Sequence, residues 1–360
     1  MDEIEADAAR VPDAALTGFC AACLRAVGVP GPDAEAAAVN LVEADLRGVH
    51  SHGVVRLPIY VQRLAAGAIN PRPRISVVRE TATSLVVDGD NGLGQVVGMA
   101  AMRMVIDKAR AGGGACVFAS VRNSNHYGAA AYYAEMALPH GMIGISTTIG
   151  GINHMVPWGG AEAMLGNNPF AIAMPAGAEP PVVLDMACSV AARGKIIVAA
   201  KEGRPIPGDW AVGPDGQPTT DAARALEGFV QPVGGPKGYA LTLVMGLLST
   251  MLSGAGFGTE VTHMYDDLER PQNIGHLMGV LPVGLFEDEA TYRARMDKAV
   301  QEVRGVRRAA GVARVYLPGE REGIAMAERR ATGIPFGAGV LAELRALGAQ
   351  HGLAVPWALP

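Results

Sequence analysis

The feature that most constrains the fold is a change of pattern at Asn70-Pro-Arg-Pro-Arg74. Before this linker, apolar residues recur at helical spacing over Asp13–Val27 and Pro32–Gly48. After it, strand-like runs such as Ile75–Arg79 alternate with helical segments as far as about Phe286. Alternating strands and helices are typical of an α/β domain. The chain of 360 residues is therefore predicted to join such a domain to a helical part.

The segment from Ser51 to Tyr60 concentrates polar groups that suit an anionic substrate. If a helix starts at Ser51 with its hydroxyl as N-cap, His52, Arg56 and Tyr60 share one helical face. Pro58 lies inside that span, so the helix is either kinked or begins later with Pro58 in its first turn. Arg can hold a carboxylate through two hydrogen bonds, His can move a proton, and Tyr can donate a hydrogen bond. The alternative is a solvated polar face with one buried histidine.

A glycine-rich segment, Asp88 to Gly98, follows the strand-like run Ser84–Asp88 and precedes a helix that extends to about Arg110. Strand, glycines and helix in this order are also found in the Rossmann dinucleotide-binding turn. Here the spacing is G-x-G-x-x-x-G, and no acid ends a second strand about 20 residues further on. The segment is therefore interpreted as a glycine-rich strand-to-helix turn.

Two groups with acid–base chemistry follow predicted strands. His126 lies in a polar loop after the strand Ala115–Ser120, at the strand end where open α/β sheets place ligands. It is the strongest acid–base candidate, and the alternative is a histidine that caps the next helix. Asp185 ends the strand-like run Val182–Ala187. A buried carboxylate is costly unless paired, so Asp185 is expected to contact a histidine or a ligand hydroxyl.

The longest uncharged run, Gly238 to Thr259, is either a membrane span or a buried core helix. Its hydroxyl residues and glycines favour the core helix. Lys237 at its start would suit an anion. A strand over Val280–Phe286 and a charged helix over Glu289–Gly311 are predicted downstream.

Charge and cysteine usage restrict the class of protein. The net charge is −5 with scattered basic residues, so a nucleic-acid partner is not expected. The chain begins with the acidic segment Met1-Asp-Glu-Ile-Glu-Ala-Asp instead of a basic–apolar leader, which predicts a cytoplasmic location and no membrane partner. Cys20 and Cys23 form a lone C-x-x-C motif. Without a second pair at ligand spacing, reduced thiols are expected and zinc is not.

Together these segments resemble the type-2 malate/L-lactate dehydrogenase family from about Ala34 to Arg321. The motifs are Ser51-His-Gly with Arg56 and Tyr60 downstream, Asp88-Gly-x-x-Gly-x-Gly94, Asn123-Ser-Asn-His-Tyr-Gly128, Pro157-Trp-Gly-Gly160, Gly166-Asn-Asn-Pro169, Leu184-Asp-Met-Ala187, Gly234-Gly-Pro-Lys-Gly-Tyr239 and Leu317-Pro-Gly-Glu-Arg321. Each motif alone is weak, but their number and order make the match specific.

The resemblance implies an NAD- or NADP-dependent reductase of small 2-oxo acids. The family also includes reductases of cyclic 2-imino acids and ureidoglycolate and sulfolactate dehydrogenases, so imino-acid reduction is the alternative. The implied fold is an α/β fold with a non-Rossmann, mixed-sheet nicotinamide-binding domain over residues 75–286. A helical, substrate-side domain would combine residues 1–74 with about 287–360. A homodimer is also implied.

The resemblance further implies roles for individual residues. Arg56 would hold the substrate carboxylate beside Tyr60 and Asn167, and His126 would exchange the proton. Ser51, His52 and Asp185 match a catalytic relay proposed in the imino-acid branch. Cofactor contacts are implied for His126, Tyr127, Gly128, Ala129, Ala130, Asp185, Met186, Ala187, Arg193, Gly194, Lys237, Pro318, Gly319, Glu320 and Arg321, and no metal is implied. Relatives often carry Thr at the position of Asn167 and a larger, often acidic residue at that of Gly246.

Two other classes of function are weighed against the dehydrogenase. A metal-dependent hydrolase or lyase would use His50, His52, His126, His154 and Asp185. However, no acid is placed to complete a facial ligand set with His50-x-His52. A non-catalytic paralogue would bind a small acid without turning it over.

Overall fold

The computed structural model describes residues 9–357, apart from the side chain of Lys201. The acidic segment at residues 1–7 lies outside the described residues. The helices are α1 (Asp13–Ala26), α2 (Gly31–Leu46), α3 (Leu57–Ala65), α4 (Gly94–Ala111), α5 (Ala130–Glu135), α6 (Arg193–Lys201), α7 (Ala222–Glu227), α8 (Pro236–Thr250), α9 (Glu289–Gly305), α10 (Glu320–Thr332) and α11 (Ala338–Gln350). The strands are β1 (Ala9–Val11), β2 (Ser76–Glu80), β3 (Ser84–Asp88), β4 (Val117–Ser124), β5 (Met142–Thr148), β6 (Phe170–Met174), β7 (Val182–Met186), β8 (Ala211–Val212), β9 (Phe229–Val230), β10 (Ile274–Pro282) and β11 (Ile334–Phe336).

A mixed seven-stranded sheet forms the centre of an α/β fold, with strand order β2-β3-β4-β10-β5-β6-β7. Strands β3 and β4 run parallel, and the other neighbouring pairs of this sheet are antiparallel. The predicted strand Val280–Phe286 is misplaced, because β10 spans Ile274–Pro282 and Val283–Leu285 forms a 3-10 turn. Pairing with β4 on one side and β5 on the other sets these limits, and this pairing is not visible in the local sequence.

Among the described residues, the two largest hydrophobic cores belong mainly to the helical part and to the α/β part of the chain. The helical core contains residues of α1, α2 and α3, and it also takes in Ile334 and Phe336 of β11 and Leu341, Leu344 and Leu347 of α11. The second core packs α4 and α5 against the central sheet. Antiparallel pairing of β1 with β11 joins the N-terminal and C-terminal segments beside the helical core.

The segment from His50 to Arg56 is not part of a helix that starts at Ser51. It forms two 3-10 turns, His50–His52 and Val54–Arg56, and Ser51 makes no capping hydrogen bond. Helix α3 begins at Leu57 with Pro58 in its first turn, so the later of the two predicted starts is confirmed. Proline fits there because the first helical N–H groups have no partner within the helix.

The uncharged run predicted a buried core helix, and helix α8 is buried on one face only. Its buried face carries small residues, Gly238, Thr242, Gly246, Ser249 and Thr250. The opposite face exposes Val244 at 47% and Leu248 at 37%, followed by Met251 at 56% and Leu252 at 60%. The run contains apolar residues on both faces, so composition alone could not show that only one face packs on the sheet. Within residues 9–357, no helix is long and apolar enough to cross a membrane.

Candidate active site

A cavity of about 1410 Å³ brings together most of the predicted site residues. Those that line it are Ser51, His52, Arg56, His126, Gly128, Ala129, Ala130, Asn167, Asp185, Met186, Ala187, Arg193, Gly194, Pro318, Gly319 and Arg321. Four predicted residues are not part of this lining: Tyr60, Tyr127, Lys237 and Glu320. The cavity walls therefore come from the 3-10 turns before α3, the turn between β4 and α5, the end of β7, and the loops before α6 and α10.

His126 is held by a buried tyrosine from the helical part of the chain. The Tyr60 hydroxyl lies 2.6 Å from His126 Nδ1, and Tyr60 is 2% exposed. Burial, followed by the charges of His52 and Arg56, holds the pKa of His126 well below the usual value of histidine. Burial also raises the pKa of Tyr60 to about 12. At neutral pH the pair is a neutral imidazole and a protonated phenol. His126 does not cap helix α5, because the N-cap residue of α5 is Ala129, which makes no side-chain capping hydrogen bond.

His52 and Ser51 form a second pair on the same wall. Ser51 Oγ lies 2.9 Å from His52 Nδ1, and the His52 ring stacks on the His126 ring with centroids 5.6 Å apart. Burial, followed by the charge of Arg56, lowers the pKa of His52 to about 4. The site therefore places two neutral imidazoles face to face, with a guanidinium beside them.

Asp185 lies apart from the Ser51–His52 pair. Its carboxylate accepts the backbone N–H of Ala131 at 2.9 Å, so its partner is the first turn of α5 instead of a histidine. Within the described part of the chain it makes no hydrogen bond to Ser51 or His52, and the relay stays a prediction. The side chain is open to the cavity, yet the surrounding protein desolvates it and raises its pKa to about 6.

Arg56 has a guanidinium that is available to a ligand. Its Nε donates to the Ser51 carbonyl at 2.7 Å, and its guanidinium lies 5.8 Å from the centre of the Tyr265 ring. Across the described residues, no carboxylate lies within 4.0 Å of this guanidinium. The terminal nitrogens of Arg56 have no hydrogen-bond partner within residues 9–357. A cation fixed by one backbone bond and one aromatic ring in this way suits a carboxylate ligand.

The buried carboxylate of Asp45 holds the turns that carry His52 and Arg56, and it was not identified from the sequence. Asp45 Oδ2 accepts the Val54 N–H at 2.8 Å, and Oδ1 lies 2.7 Å from His50 Nδ1. His50 Nε2 in turn lies 2.9 Å from an Arg329 nitrogen on α10. A Cβ at Gly53 would lie 2.2 Å from the Asp45 carboxylate, so this turn needs glycine. The sequence signal was an acid eight residues before a glycine that directly follows the polar triplet His50-Ser51-His52.

The alternative metal site is not assembled in the structure. His50 faces Asp45 and Arg329 instead of His52. Over residues 9–357, no group of three or more His, Cys, Asp or Glu side chains is placed to hold one ion.

The remaining cavity lining fits a dinucleotide cofactor in its chemistry. Arg193 at the start of α6 and Arg321 at the start of α10 supply cations for phosphates. Tyr316 adds an exposed aromatic ring, with Arg321 5.9 Å from its centre. Gly319 has a φ of +84° and a Cβ there would lie 2.7 Å from Val183, so this loop packs closely against β7.

Three residues predicted to contact the cofactor point elsewhere. Tyr127 is buried, with its hydroxyl 3.0 Å from Ser146 Oγ and its ring stacked on His276. Lys237 is exposed on the first turn of α8 and is not part of the cavity lining. Glu320 is buried and pairs with Arg304 and Arg314. Their predicted roles at the cofactor stay predictions.

The chain matches known proteins over most of its length. The family model described as malate/L-lactate dehydrogenase matches residues 11–345. A malate dehydrogenase from Pyrococcus abyssi is 39% identical over 352 residues, which cover 96% of this chain and 95% of the relative. Matching relatives include dehydrogenases named for NAD+ and others named for NADP+.

Solved structures agree with this assignment. A sulfolactate dehydrogenase from Methanocaldococcus jannaschii superposes with a TM-score of 0.90 at 37% identity, covering 96% of this chain and 98% of that one. A Δ1-piperideine-2-carboxylate reductase from Pseudomonas syringae superposes with a TM-score of 0.82 at 29% identity, covering 94% and 99%. The chain therefore belongs to the malate/L-lactate dehydrogenase family, as an NAD(P)-dependent oxidoreductase that interconverts a small 2-oxo acid and its 2-hydroxy acid.

Proposed function

We propose that Arg56 holds the carboxylate of the 2-oxo acid and that His126 exchanges a proton with its 2-oxygen. The observation that carries this proposal is the contact of 2.6 Å between Tyr60 Oη and His126 Nδ1, in a cavity that also contains Arg56. The Tyr60 hydroxyl lies against Nδ1 of His126, so the other ring nitrogen, Nε2, is left to contact the substrate. The malate and sulfolactate dehydrogenases among the relatives carry names that fit such substrates.

The electrostatics of the site suit a reversible proton transfer. Reduction of a 2-oxo acid builds negative charge on the carbonyl oxygen, and a proton donor must reach that oxygen. Burial and the charge of Arg56 disfavour the protonated form of His126, so a protonated His126 gives up its Nε2 proton readily. In the oxidative direction the neutral ring accepts the hydroxyl proton. A bound nicotinamide supplies or accepts the hydride, and Gly128, Ala130, Arg193 and Arg321 would hold that cofactor.

Reduction of a cyclic 2-imino acid is the second candidate. The contact of 2.9 Å between Ser51 and His52 provides the first two members of the predicted relay. The piperideine-2-carboxylate reductase is also a structural neighbour of this chain. However, Asp185 would have to join the relay through a ligand, since its present hydrogen-bond partner is Ala131.

Cofactor oxidation against a substrate panel tests the proposal. The panel holds pyruvate, oxaloacetate, sulfopyruvate and Δ1-piperideine-2-carboxylate, each with NADH and with NADPH, and ureidoglycolate with NAD and NADP. Turnover of a 2-oxo acid with little turnover of the imino acid is expected. Faster reduction of the imino acid would favour the second candidate, and no turnover of any panel member would refute both.

Replacing Arg56 with lysine is expected to raise KM for the 2-oxo acid by about tenfold to a hundredfold, with a smaller change in kcat. Lysine keeps the charge but loses the two-pronged grip, and a hydrogen bond to a charged group contributes about 1.5–3 kcal/mol. Steady-state kinetics of Arg56→Lys beside the exposed control Arg103→Lys would measure this. A KM equal to that of the control would remove Arg56 from the carboxylate site.

The proposal includes the division of the chain. The central sheet would form a non-Rossmann nicotinamide-binding domain over residues 75–286, and residues 1–74 would join about 287–360 in a helical, substrate-side domain. The shared core of α1, α2, α3 and α11 supports this division. Helix α9 is an exception, because its Asp297 accepts backbone N–H groups of Gly177, Ala178 and Glu179 beside the sheet.

A homodimer and a cytoplasmic location complete the proposal. The exposed apolar face of α8 supports the dimer, since exposed apolar patches commonly mark interfaces. Four free cysteines, Cys20, Cys23, Cys116 and Cys188, fit a reducing compartment.

Light scattering tests the proposed dimer. It is expected to give twice the chain mass for the native protein and a monomer for Val244→Lys. The control Val78→Lys, on the exposed edge strand β2, should stay dimeric, and a monomeric native protein would contradict the proposal.

A further inference from the structure

The glycine-rich segment at residues 88–98 has no role in the proposed mechanism, yet it lies against the turn that carries His126. Every residue of this segment is described by the structure, and none of them lines the active-site cavity. Backbone N–H groups of Gly89 and Asn91 donate to carbonyl oxygens at the end of β4, at 2.9 Å and 2.8 Å. The segment therefore contacts protein backbone where a Rossmann turn would contact a phosphate.

Asn125 ties this turn to the glycine-rich segment from the position directly before His126. It is 2% exposed. Its Nδ2 donates to the carbonyl oxygens of Asn91 at 3.2 Å and Gly92 at 2.8 Å, and it lies 3.0 Å from Asn91 Oδ1. An amide oxygen in place of this nitrogen would face three acceptors, which fixes the orientation of the amide. Asn125 is therefore a hydrogen-bond donor to the segment, and it does not line the cavity.

Gly94, the first residue of α4, packs against the same turn. A Cβ at this position would lie 2.2 Å from the Asn125 carbonyl oxygen and 2.3 Å from the His126 carbonyl oxygen. Both oxygens belong to the backbone, so neither can rotate away as a flexible side chain could. Gly94 does not have a positive φ, so glycine is needed here for close approach alone. Helix α4 thus begins in contact with the two peptide groups that flank the His126 Cα.

His126 must meet a partner from the other hydrophobic core. Tyr60 belongs to the helical core, whereas Tyr127, directly after His126, belongs to the core of the sheet. The contact of 2.6 Å between Tyr60 Oη and His126 Nδ1 joins the two. Because a hydrogen bond is lost beyond about 3.2 Å, a shift of the turn by about 1 Å would break this contact. Such a misplacement can cost about a hundredfold in rate.

We infer that Asn125 is a positioning residue that holds His126 in place for proton transfer by anchoring its turn to the glycine-rich segment. Gly94 supports this anchor, since a larger residue would push α4 away from the same turn. Asn125 does not contact the substrate in this assignment and acts through His126. The assignment rests on the proposed function, because His126 must exchange the proton.

Replacing Asn125 with aspartate removes the donor and keeps the shape of the side chain. An oxygen would then face the three acceptors of Asn91 and Gly92, so the turn must move. We expect kcat for the 2-oxo acid to fall by about tenfold or more. The KM should stay close to the native value, because Arg56 lies on a separate turn. The control Gln350→Glu makes the same chemical change at an exposed position of α11, and urea unfolding would be measured for both.

The Gly94→Ala variant perturbs the same turn without adding a charge or removing a hydrogen bond, so it stays informative if Asn125→Asp does not fold. Its Cβ would press on the turn, and the same fall in kcat at a similar KM is expected. The control is Gly339→Ala near the start of α11, where a Cβ meets nothing within 4 Å. Native kcat in whichever of the two test variants folds would overturn the assignment.

A double-mutant cycle separates a positioning role from a general effect on the fold. Each change would also be made beside His126→Ala, whose residual rate is measured in single-turnover experiments. A residue that acts through His126 has nothing left to position there, so a further fall of less than about threefold is expected. The same factor in both backgrounds would overturn the assignment. Native kcat in His126→Ala alone would overturn the proposed function, and the assignment with it.

Discussion

Replacing His126 with alanine is expected to lower kcat by about a hundredfold or more, since a positioned acid–base group contributes that factor. The His126 ring lies with Nδ1 2.6 Å from the Tyr60 hydroxyl and stacks on the His52 ring. These two contacts fix its position and orientation, so a neighbouring side chain is not expected to replace it. Single-turnover cofactor oxidation would measure the chemical step directly. The matched control is His140→Ala, which removes an exposed imidazole outside the cavity. Equal kcat values for the two variants would exclude His126 as the acid–base.

The pH dependence of the native protein gives an independent measure of the same group. Because the pKa of His126 is lowered, the ring stays neutral as the pH falls through 6.5, and it would still serve as the proposed base for oxidation of the hydroxy acid. The acid limb of kcat/KM for oxidation is therefore expected below pH 6.5. Asp185, with a pKa of about 6, titrates in the same cavity, so the profile should also be measured in Asp185→Asn. A limb at pH 6.5 or above in both proteins would contradict the neutral imidazole.

Replacing Gly53 with alanine is expected to disable the site without changing any side chain that we propose to contact substrate. The added Cβ would lie 2.2 Å from the Asp45 carboxylate, which is fully buried and cannot move into solvent. Overpacking of this kind costs about 1–3 kcal/mol of stability. The turn that carries His52 and Arg56 must shift to relieve the clash, and a misplacement of about 1 Å can cost a hundredfold in rate.

Urea unfolding and kcat/KM would be measured together for Gly53→Ala. The matched control is Gly18→Ala on α1, where a Cβ meets nothing within 4 Å. In a helix interior alanine is about 0.5–1 kcal/mol more favourable than glycine, so the control should be slightly stabilised and fully active. If Gly53→Ala retained the stability and activity of this control, Asp45 would not position the turn.

Local sequence patterns predicted much of the fold. Helices α1 and α2 lie within two residues of their predicted limits, and the strand-like run Ser84–Asp88 has the limits of β3. These elements depend on apolar periodicity and on residues that start or stop a helix, and both are properties of neighbouring residues. The order of motifs also identified the family and grouped Ser51, His52, Arg56 and His126 as site candidates.

Contacts between distant residues decided the rest. Tyr60 meets His126 across 66 positions, and Arg63 reaches the Arg270 carbonyl across 207. The limits of β10 depend on β4 and β5, and the exposed face of α8 depends on which side meets the sheet. Periodicity describes only a segment and its nearest neighbours. The sequence by itself thus determined the element types and the chemistry available to the site. Only the tertiary structure decided which of those groups share a cavity and which hydrogen bonds orient them, because partners far apart in the chain are chosen by packing of the whole fold.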